Sequence, residues 1–127
     1  MTNNQGYYIT DKGEKVIIDS QEIIYLSNKN IVELILPSHG VEYVHCHDNQ
    51  LKELILPSGV KSVYCSNNQL KELILPSGIE YVWCQNNNIT GLILPSGIKE
   101  VSCDDGAIDD PMIYKDWDTY LEIYFYK

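Results

Sequence analysis

The sequence predicts a mainly-β solenoid, in which one short structural unit is stacked several times along an axis. Three observations lead to this fold class. Four cysteines recur at intervals of 19 residues, at Cys46, Cys65, Cys84 and Cys103. Four prolines keep nearly the same interval, at Pro37, Pro57, Pro76 and Pro95, and apolar residues recur in register with both sets. A period of about 20 residues indicates stacked units, each of which buries the apolar side of its neighbour.

The first predicted element is a β-hairpin within residues 1–20, which we expect to cover the first coil of the solenoid. Two alternating apolar stretches flank Asp11-Lys12-Gly13, and a glycine-containing turn between such stretches is typical of a hairpin. A solenoid needs caps of this kind because its end coils would otherwise expose the apolar interior.

Residues 21–108 carry about five repeats. Aligned on the cysteines, one repeat reads Val41-Glu-Tyr-Val44-His-Cys46-His-Asp-Asn49-Gln-Leu51-Lys-Glu-Leu54-Ile-Leu56-Pro57-Ser-Gly59. The flanking copies are degenerate, since Leu26 takes the cysteine position of the first and Gly106 takes the asparagine position of the last. The one length difference is His39, which we therefore place in a loop.

Each repeat begins with a predicted strand, because alternate side chains of a strand point to opposite faces. In the run from Tyr43 to His47, Val44 and Cys46 then point inward, and equivalent runs stack as a parallel sheet. The asparagine three residues after each cysteine is expected to hydrogen-bond backbone groups where the chain leaves the strand. These ladder asparagines are Asn49, Asn68 and Asn87.

Each repeat ends with an extended return run that stops at proline, serine and glycine. Proline fixes φ and glycine permits a sharp turn, so the chain reverses there. No helix fits between proline and glycine turns that follow one another so closely.

The repeat pattern L-x-x-L-x-L/C-x-x-N-x-L resembles the signature of leucine-rich repeats, and it covers the 88 residues from Gln21 to Ile108. The Leu-Pro-x-Gly punctuation is similar to the short, irregular repeats of bacterial secreted effectors and giant-virus proteins. The resemblance implies a parallel sheet on a concave face, an extended or irregular convex side with little helix, and a concave surface that binds other proteins.

The four cysteines are predicted to form a structural ladder. All occupy the same inward position, where a free cysteine behaves as a small apolar residue. Side chains that point the same way on parallel neighbours are poorly aimed for a disulfide, and a linear column does not converge on one metal ion. We expect reduced thiols, no metal and no cofactor, and a cytoplasmic location, which is the host cytoplasm if the chain is an effector or viral protein.

Residues 109–127 are predicted to form a second cap. Leu121, Ile123 and Phe125 alternate with polar and tyrosine residues, which predicts a final strand. Asp116 is a candidate cap of a short helical turn before that strand, with Trp117 packing inside the cap.

Side chains that flank the inward positions are expected to form three columns on the open face of the sheet. The central column is Tyr25, His45, Tyr64, Trp83 and Ser102. The preceding column is Ile23, Tyr43, Ser62, Tyr81 and Glu100. The following column is Ser27, His47, Ser66, Gln85 and Asp104.

This aromatic surface predicts a binding module for a protein or peptide, because Tyr and Trp are enriched at binding hot spots. The contact residues are expected to be Tyr25, Tyr43, Tyr64, Tyr81 and Trp83, with His45 and His47 adjusting polarity or pH response and Gln85 and Asp104 beside them. Two alternatives stay open. The aromatic platform also suits sugar rings, and cross-strand aromatic pairs stabilise a sheet even when nothing binds.

On the return run, an isoleucine column is predicted to point outward or to be half covered. Its members are Ile35, Ile55, Ile74 and Ile93. One interpretation packs the column on the convex side beneath neighbouring loops. The other is a weak self-association stripe of a structural solenoid, since a contiguous apolar patch often marks an interface.

Composition narrows the class of partner. The formal charge of −9, from 9 Lys and Arg against 18 Asp and Glu, argues against nucleic acid and favours basic or neutral protein surfaces. No apolar run approaches a membrane span, and the N-terminus lacks the pattern of a signal peptide. Enzymatic activity is not expected either, because a strand separates Cys46 from His45 and His47.

Overall fold

The computed structural model describes residues 4–114 and 121–127, and it confirms a mainly-β solenoid of about 5 turns with a parallel sheet. The strands are β1 (Gly6–Thr10), β2 (Lys15–Ile18), β3 (Ile23–Tyr25), β4 (Ile31–Ile35), β5 (Tyr43–His45), β6 (Ser62–Tyr64), β7 (Tyr81–Trp83), β8 (Glu100–Asp104) and β9 (Glu122–Tyr126). The one helical element in the described ranges is a 3-10 turn at Pro111–Tyr114. Within those ranges no helix has the length and apolarity that crossing a lipid bilayer requires.

The parallel sheet contains six strands in the order β3-β5-β6-β7-β8-β9. Equivalent residues of successive repeats are direct partners, so that Val44 pairs with Val63 and Val63 pairs with Val82. The register of the repeat in the sequence is therefore the register of the sheet.

The inward assignment of alternate residues is confirmed. Val44, Val63 and Val82 are fully buried, and all four cysteines are buried free thiols. Across the interior they face the return run, in which Leu51 and Leu70 are also fully buried. The core is thus a set of stacked layers, one layer for each coil.

The predicted asparagine ladder is also confirmed, and each of its members joins two coils. The side-chain amide of Asn68 donates to the carbonyl oxygens of Cys46 and Cys65 at 3.1 and 3.0 Å. Its side-chain oxygen accepts from the backbone N–H of Leu51 at 2.9 Å. Buried backbone groups at the end of each strand are satisfied in this way.

The first coil has Lys29 in place of a ladder asparagine. The ladder asparagine of the following coil supplies a hydrogen-bond acceptor for the turn of the first coil. The side-chain oxygen of Asn49 accepts from the backbone N–H groups of Lys29 and Ile31, both at 3.0 Å. A degenerate first repeat is therefore tolerated because its turn is satisfied by the second repeat.

A second sheet has the order β2-β1-β4 and lies at the N-terminal end. β1 and β2 form an antiparallel hairpin, and β1 also pairs antiparallel with β4, with Tyr8 opposite Leu34. β4 belongs to the return run of the first coil. Sequence analysis predicted the hairpin but not the strand on which it docks.

At the other end, β9 pairs in parallel with β8 and adds a sixth rung to the main sheet. Ile123 is opposite Val101, and Phe125 is opposite Cys103. The predicted final strand is therefore present. The predicted turn at 116–119 and Trp117 lie outside the described residues.

The isoleucine column points outward, as predicted. Ile55, Ile74 and Ile93 are 72%, 78% and 73% exposed, and Ile35 is 39% exposed. The interpretation that neighbouring loops cover this column is wrong for the first three, because side chains this exposed have no loop packed over them.

Candidate functional site

The open face of the parallel sheet carries the three predicted columns of side chains, and β9 extends each of them. The pairing Ser102 with Tyr124 places Tyr124 in the central column. Glu122 joins the preceding column, and Tyr126 joins the following one. Sequence analysis missed these members, although the alternation of Ile123 and Phe125 with tyrosines matches that of Val101 and Cys103.

Four residues of the central column form a continuous row of rings, of which the first three are stacked and the last, Trp83, is tilted by 44° against Tyr64. The ring centroids of Tyr25 and His45 are 4.7 Å apart. Those of His45 and Tyr64 are 4.4 Å apart, and those of Tyr64 and Trp83 are 4.0 Å apart. Neighbouring strands are about 4.8 Å apart, so the sheet itself sets the stacking distance. The structure thus brings together four of the predicted site residues.

A cavity of about 440 Å³ on this face, which we call the Ser62 groove, lies between the preceding and central columns. Ser62 is its floor, 3% exposed, between the larger side chains of Tyr43 and Tyr81. The lining residues are Ile23, Tyr25, Tyr43, His45, Ser62, Tyr64, Tyr81, Trp83 and Glu100. The groove arises because a serine interrupts a column of tyrosines.

Two smaller cavities follow the same rule. The Ser66 cavity, of about 260 Å³, is lined by His45, His47, Tyr64, Ser66, Trp83 and Gln85. The Ser102 cavity, of about 250 Å³, is lined by Trp83, Gln85, Glu100, Ser102, Tyr124 and Tyr126. Each opens above a serine whose neighbours in the column are larger. The pattern of small residues among large ones therefore decides where this face is concave.

A row of hydrogen-bonded side chains forms the rim of the open face. Asn86 donates to Asn67 at 2.7 Å, and Asn67 donates to Asp48 at 2.8 Å. Asp48 in turn contacts Nδ1 of His47 at 2.8 Å, and this hydrogen bond lowers the pKa of Asp48. Asp48, Asn67 and Asn86 all have φ near +57°, a conformation that Asn and Asp tolerate best among residues other than glycine.

Asp104 has a structural role at the end of this rim. Its carboxylate oxygens accept from the backbone N–H groups of Asn86 and Asn87, at 2.8 and 2.9 Å. In an earlier coil the equivalent N–H groups of Asp48 and Asn49 donate to backbone carbonyl oxygens of the next coil, so the Asp104 side chain here takes the place of backbone acceptors. His47 and Asp104, both predicted to bind a partner, are thus already engaged in the rim, whereas Gln85 lines two of the cavities.

The electrostatic character of the open face is acidic. Glu100 lines both the Ser62 groove and the Ser102 cavity, and its carboxylate has no ion pair in the part of the chain that the structure describes. The nearby lysines are engaged elsewhere, Lys61 with Glu42 at 2.7 Å and Lys99 with Glu80 at 3.0 Å. This arrangement leaves a negative electrostatic potential above this part of the face.

The pKa shifts of Tyr64, Tyr124 and His45 all favour the neutral form of the ring. Burial raises the pKa of Tyr64, and the charge of Glu100 raises it further. A hydrogen bond to Glu122 raises the pKa of Tyr124. Burial and the neighbouring His47 lower the pKa of His45, which therefore stacks as an uncharged ring.

The cysteines offer no ionised nucleophile to this face. Burial raises the pKa of Cys46 to about 12 and that of Cys103 to about 11, and both thiols point into the core. Only the thiolate form of cysteine is a good nucleophile or metal ligand. Across residues 4–114 and 121–127, no three His, Cys, Asp or Glu side chains are grouped so that they could hold a metal ion.

Fold and site together define a mainly-β solenoid whose open sheet face is lined by aromatic side chains. Comparison of the chain with protein-family models, with curated proteins and with solved structures finds no match.

Proposed function

We propose that this protein is a non-enzymatic module of the leucine-rich repeat type, located in the cytoplasm, which binds a protein or peptide through the open sheet face. The observation that carries the proposal is the Ser62 groove. Its volume of about 440 Å³ falls in the range of about 300–1,000 Å³ that is typical of ligand sites. The repeat pattern and the asparagine ladder support the leucine-rich repeat type.

The shape of the Ser62 groove suits an extended peptide. Its lining residues come from five neighbouring strands, β3, β5, β6, β7 and β8, which span about 19 Å at about 4.8 Å for each interval. An extended chain rises about 3.3 Å for each residue, so about six residues fit along the groove. Tyrosine and tryptophan walls supply contact area at a small cost in conformational entropy.

A glycan is less well suited to the same surface. A sugar ring that stacks on an aromatic side chain needs a free ring face, and the inner faces of His45 and Tyr64 are covered by their neighbours. The acidic character of the face also favours a basic peptide over a neutral sugar. A glycan array with the wild-type protein separates the two functions.

The experiment that tests the peptide function is selection from a displayed library of random peptides, followed by affinity measurement. For a selected peptide, the double variant Tyr64→Ala and Trp83→Ala should raise Kd by about 30-fold or more, as truncation of hot-spot aromatics does. Ile55→Ala, on the opposite side of the solenoid, is the matched control and should leave Kd unchanged. Unchanged affinity of the double variant, with an unchanged circular dichroism spectrum, places binding elsewhere.

A second candidate function is self-association through the isoleucine column, favoured by the exposure of Ile55, Ile74 and Ile93. Light scattering across a concentration series should show a mass that rises with concentration in the wild type and stays monomeric in Ile74→Lys. A monomeric wild type at every concentration removes this candidate.

A further inference from the structure

The central column is an aromatic stack from which one rung is missing. Tyr25, His45, Tyr64 and Trp83 stack in sequence, Ser102 follows, and Tyr124 continues the column on β9. Ser102 is 4% exposed and forms the floor of the Ser102 cavity, between the side chains of Trp83 and Tyr124.

We propose that the Ser102 cavity is a recognition site for an arginine side chain of the partner, whose planar guanidinium group fills the missing rung between Trp83 and Tyr124. The proposal rests on the proposed function, because a bound peptide or protein presents the arginine. It goes further in that it assigns one chemical group to one cavity.

The spacing of the two walls fits a planar group. Trp83 and Tyr124 lie on strands two apart, so their backbones are separated by about 9.6 Å. A planar group in van der Waals contact with a ring on each side needs at least about 7–8 Å between those rings, so this separation leaves room for one such group and for no second one. The intact part of the column already places one ring on each strand with centroids 4.0–4.7 Å apart, the Trp83 ring being tilted by 44° against Tyr64. A flat group above Ser102 would continue that stack.

The chemistry of the lining selects a cation that carries only hydrogen-bond donors. Glu100 supplies a carboxylate without an ion pair among the described residues. Gln85 also lines the cavity, and its buried side-chain oxygen has no hydrogen-bond donor in the same ranges. A guanidinium group has five N–H donors, two flat faces and a permanent positive charge.

Lysine and aromatic side chains match only some of the groups that line the Ser102 cavity. A lysine ammonium carries the charge but has no plane to stack on both rings. An aromatic side chain fills the plane but leaves the Glu100 carboxylate and the Gln85 oxygen without a donor. Cation–π contact with Trp, the best of the aromatic partners, adds to the preference for arginine.

The test uses N-acetyl-arginine amide as the probe and follows ¹H–¹⁵N NMR signals of the whole protein, including the Trp83 indole N–H. We expect saturable shifts at Trp83, Ser102 and Tyr124 with this probe. N-acetyl-lysine amide and N-acetyl-tryptophan amide should each bind at least about fivefold more weakly. Glu100→Gln should weaken arginine binding by about tenfold.

Two matched variants locate the site. Ser102→Phe places the chain's own ring in the missing rung and should abolish the shifts. Ile55→Phe places the same ring on the opposite side of the solenoid and should leave arginine binding unchanged. If Ser102→Phe does not fold, Tyr124→Leu removes one wall of the cavity while keeping a strand-forming side chain, and it should also abolish binding.

The outcomes separate this inference from the proposed function. Equal binding of the lysine probe, preference for the tryptophan probe, or arginine shifts that survive both Ser102→Phe and Tyr124→Leu would each overturn the arginine site. If displayed peptides bind the open face but the arginine probe does not, the proposed function stands and the arginine site fails. If the arginine probe binds above Ser102 and no displayed peptide is captured, the arginine site stands and the proposed function fails.

Discussion

At the scale of single residues, the inward position shared by the four cysteines determines where the other side chains of each strand point. Cys46 is fully buried, and its neighbours His45 and His47 lie on the opposite face. The same alternation puts Tyr64 and Trp83 outside. The cysteines are therefore a marker of register, and their high thiol pKa values result from the burial that this register imposes.

Replacement of a ladder cysteine by a charged residue should be strongly destabilising. Cys84→Asp places a carboxylate where neither water nor a cation can reach it, and an uncompensated buried charge costs about 3–5 kcal/mol. Cys84→Ala removes the sulfur without adding charge and should cost clearly less. Urea denaturation of both variants measures the difference. Equal stability of the two would contradict the inward assignment of Cys84.

His45 should make the free energy of unfolding depend on pH. Its pKa in the folded protein is below the ordinary value of 6.5, so the unfolded chain takes up this proton first as the pH falls. The stabilisation that comes from neutral His45 is present in full above pH 6.5. It is lost as the pH falls from there through the pKa of His45 in the folded protein. Asp48 has a pKa below its ordinary value of 3.8, so its effect lies at lower pH.

Urea midpoints between about pH 7.5 and pH 5.5 measure this effect. The wild type should lose stability over that range. His45→Phe keeps a ring between Tyr25 and Tyr64 and should lose less, because it has no imidazole at this position to take up a proton. The same pH dependence in both proteins would show that His45 is not responsible.

The sequence predicted the role of a residue well where its position recurs in every repeat. It did so poorly where the role depends on a contact with another coil. Asn68 could be assigned to the ladder because its position recurs every 19 residues. The rim row was missed, although Asp48, Asn67 and Asn86 precede the ladder asparagines and their residue types suit positive φ. The role of Asp104 depends on its contact with the previous coil, which no local pattern reports.

At the scale of elements, the ends of the solenoid were the least predictable part. The hairpin of β1 and β2 follows from a local turn, but the docking of β1 on β4 joins residues more than twenty positions apart. β9 was predicted as a strand, whereas its parallel pairing with β8 was not. Two of the six residues that line the Ser102 cavity depend on that pairing, because Tyr124 and Tyr126 come from β9.

Gly6 should be indispensable for the docking of the N-terminal hairpin. A Cβ atom at Gly6 would overlap the carbonyl oxygen of Ile35 and would lie 2.8 Å from the carbonyl carbon of Leu36. Gly6→Ala therefore forces β1 away from β4, at a cost of about 1–3 kcal/mol, as overpacking usually does. Gln5→Ala, at an exposed neighbouring position, is the control.

Hydrogen exchange measures where this loss of stability falls. Protection should decrease in β1 and β4 and stay unchanged in β6 and β7, because the coils of a solenoid contact only their neighbours. Wild-type protection of β1 in Gly6→Ala would show that the strand accommodates a side chain at this position.

At the scale of the whole molecule, stability comes from contacts between successive coils. The ladder asparagines, the rim row and the aromatic stack each link a coil with the next at equivalent positions. A coil should therefore be removable, provided that the cut preserves register. Deletion of the 19 residues from Cys65 to Trp83 joins Tyr64 to Cys84 and leaves an inward cysteine and a ladder asparagine in place.

The shortened chain should fold cooperatively, with the far-UV circular dichroism per residue of the wild type. Its free energy of unfolding should fall by about 1–3 kcal/mol, the share of 19 residues at about 0.05–0.15 kcal/mol each. The matched control also removes Cys84, which joins Tyr64 to Gln85 and places a polar side chain in the inward position. A one-residue slip turns apolar side chains of a strand to the wrong face, so the control should lose its cooperative transition. Equal stability of the two deletions would show that the period of the cysteines does not set the register of the sheet.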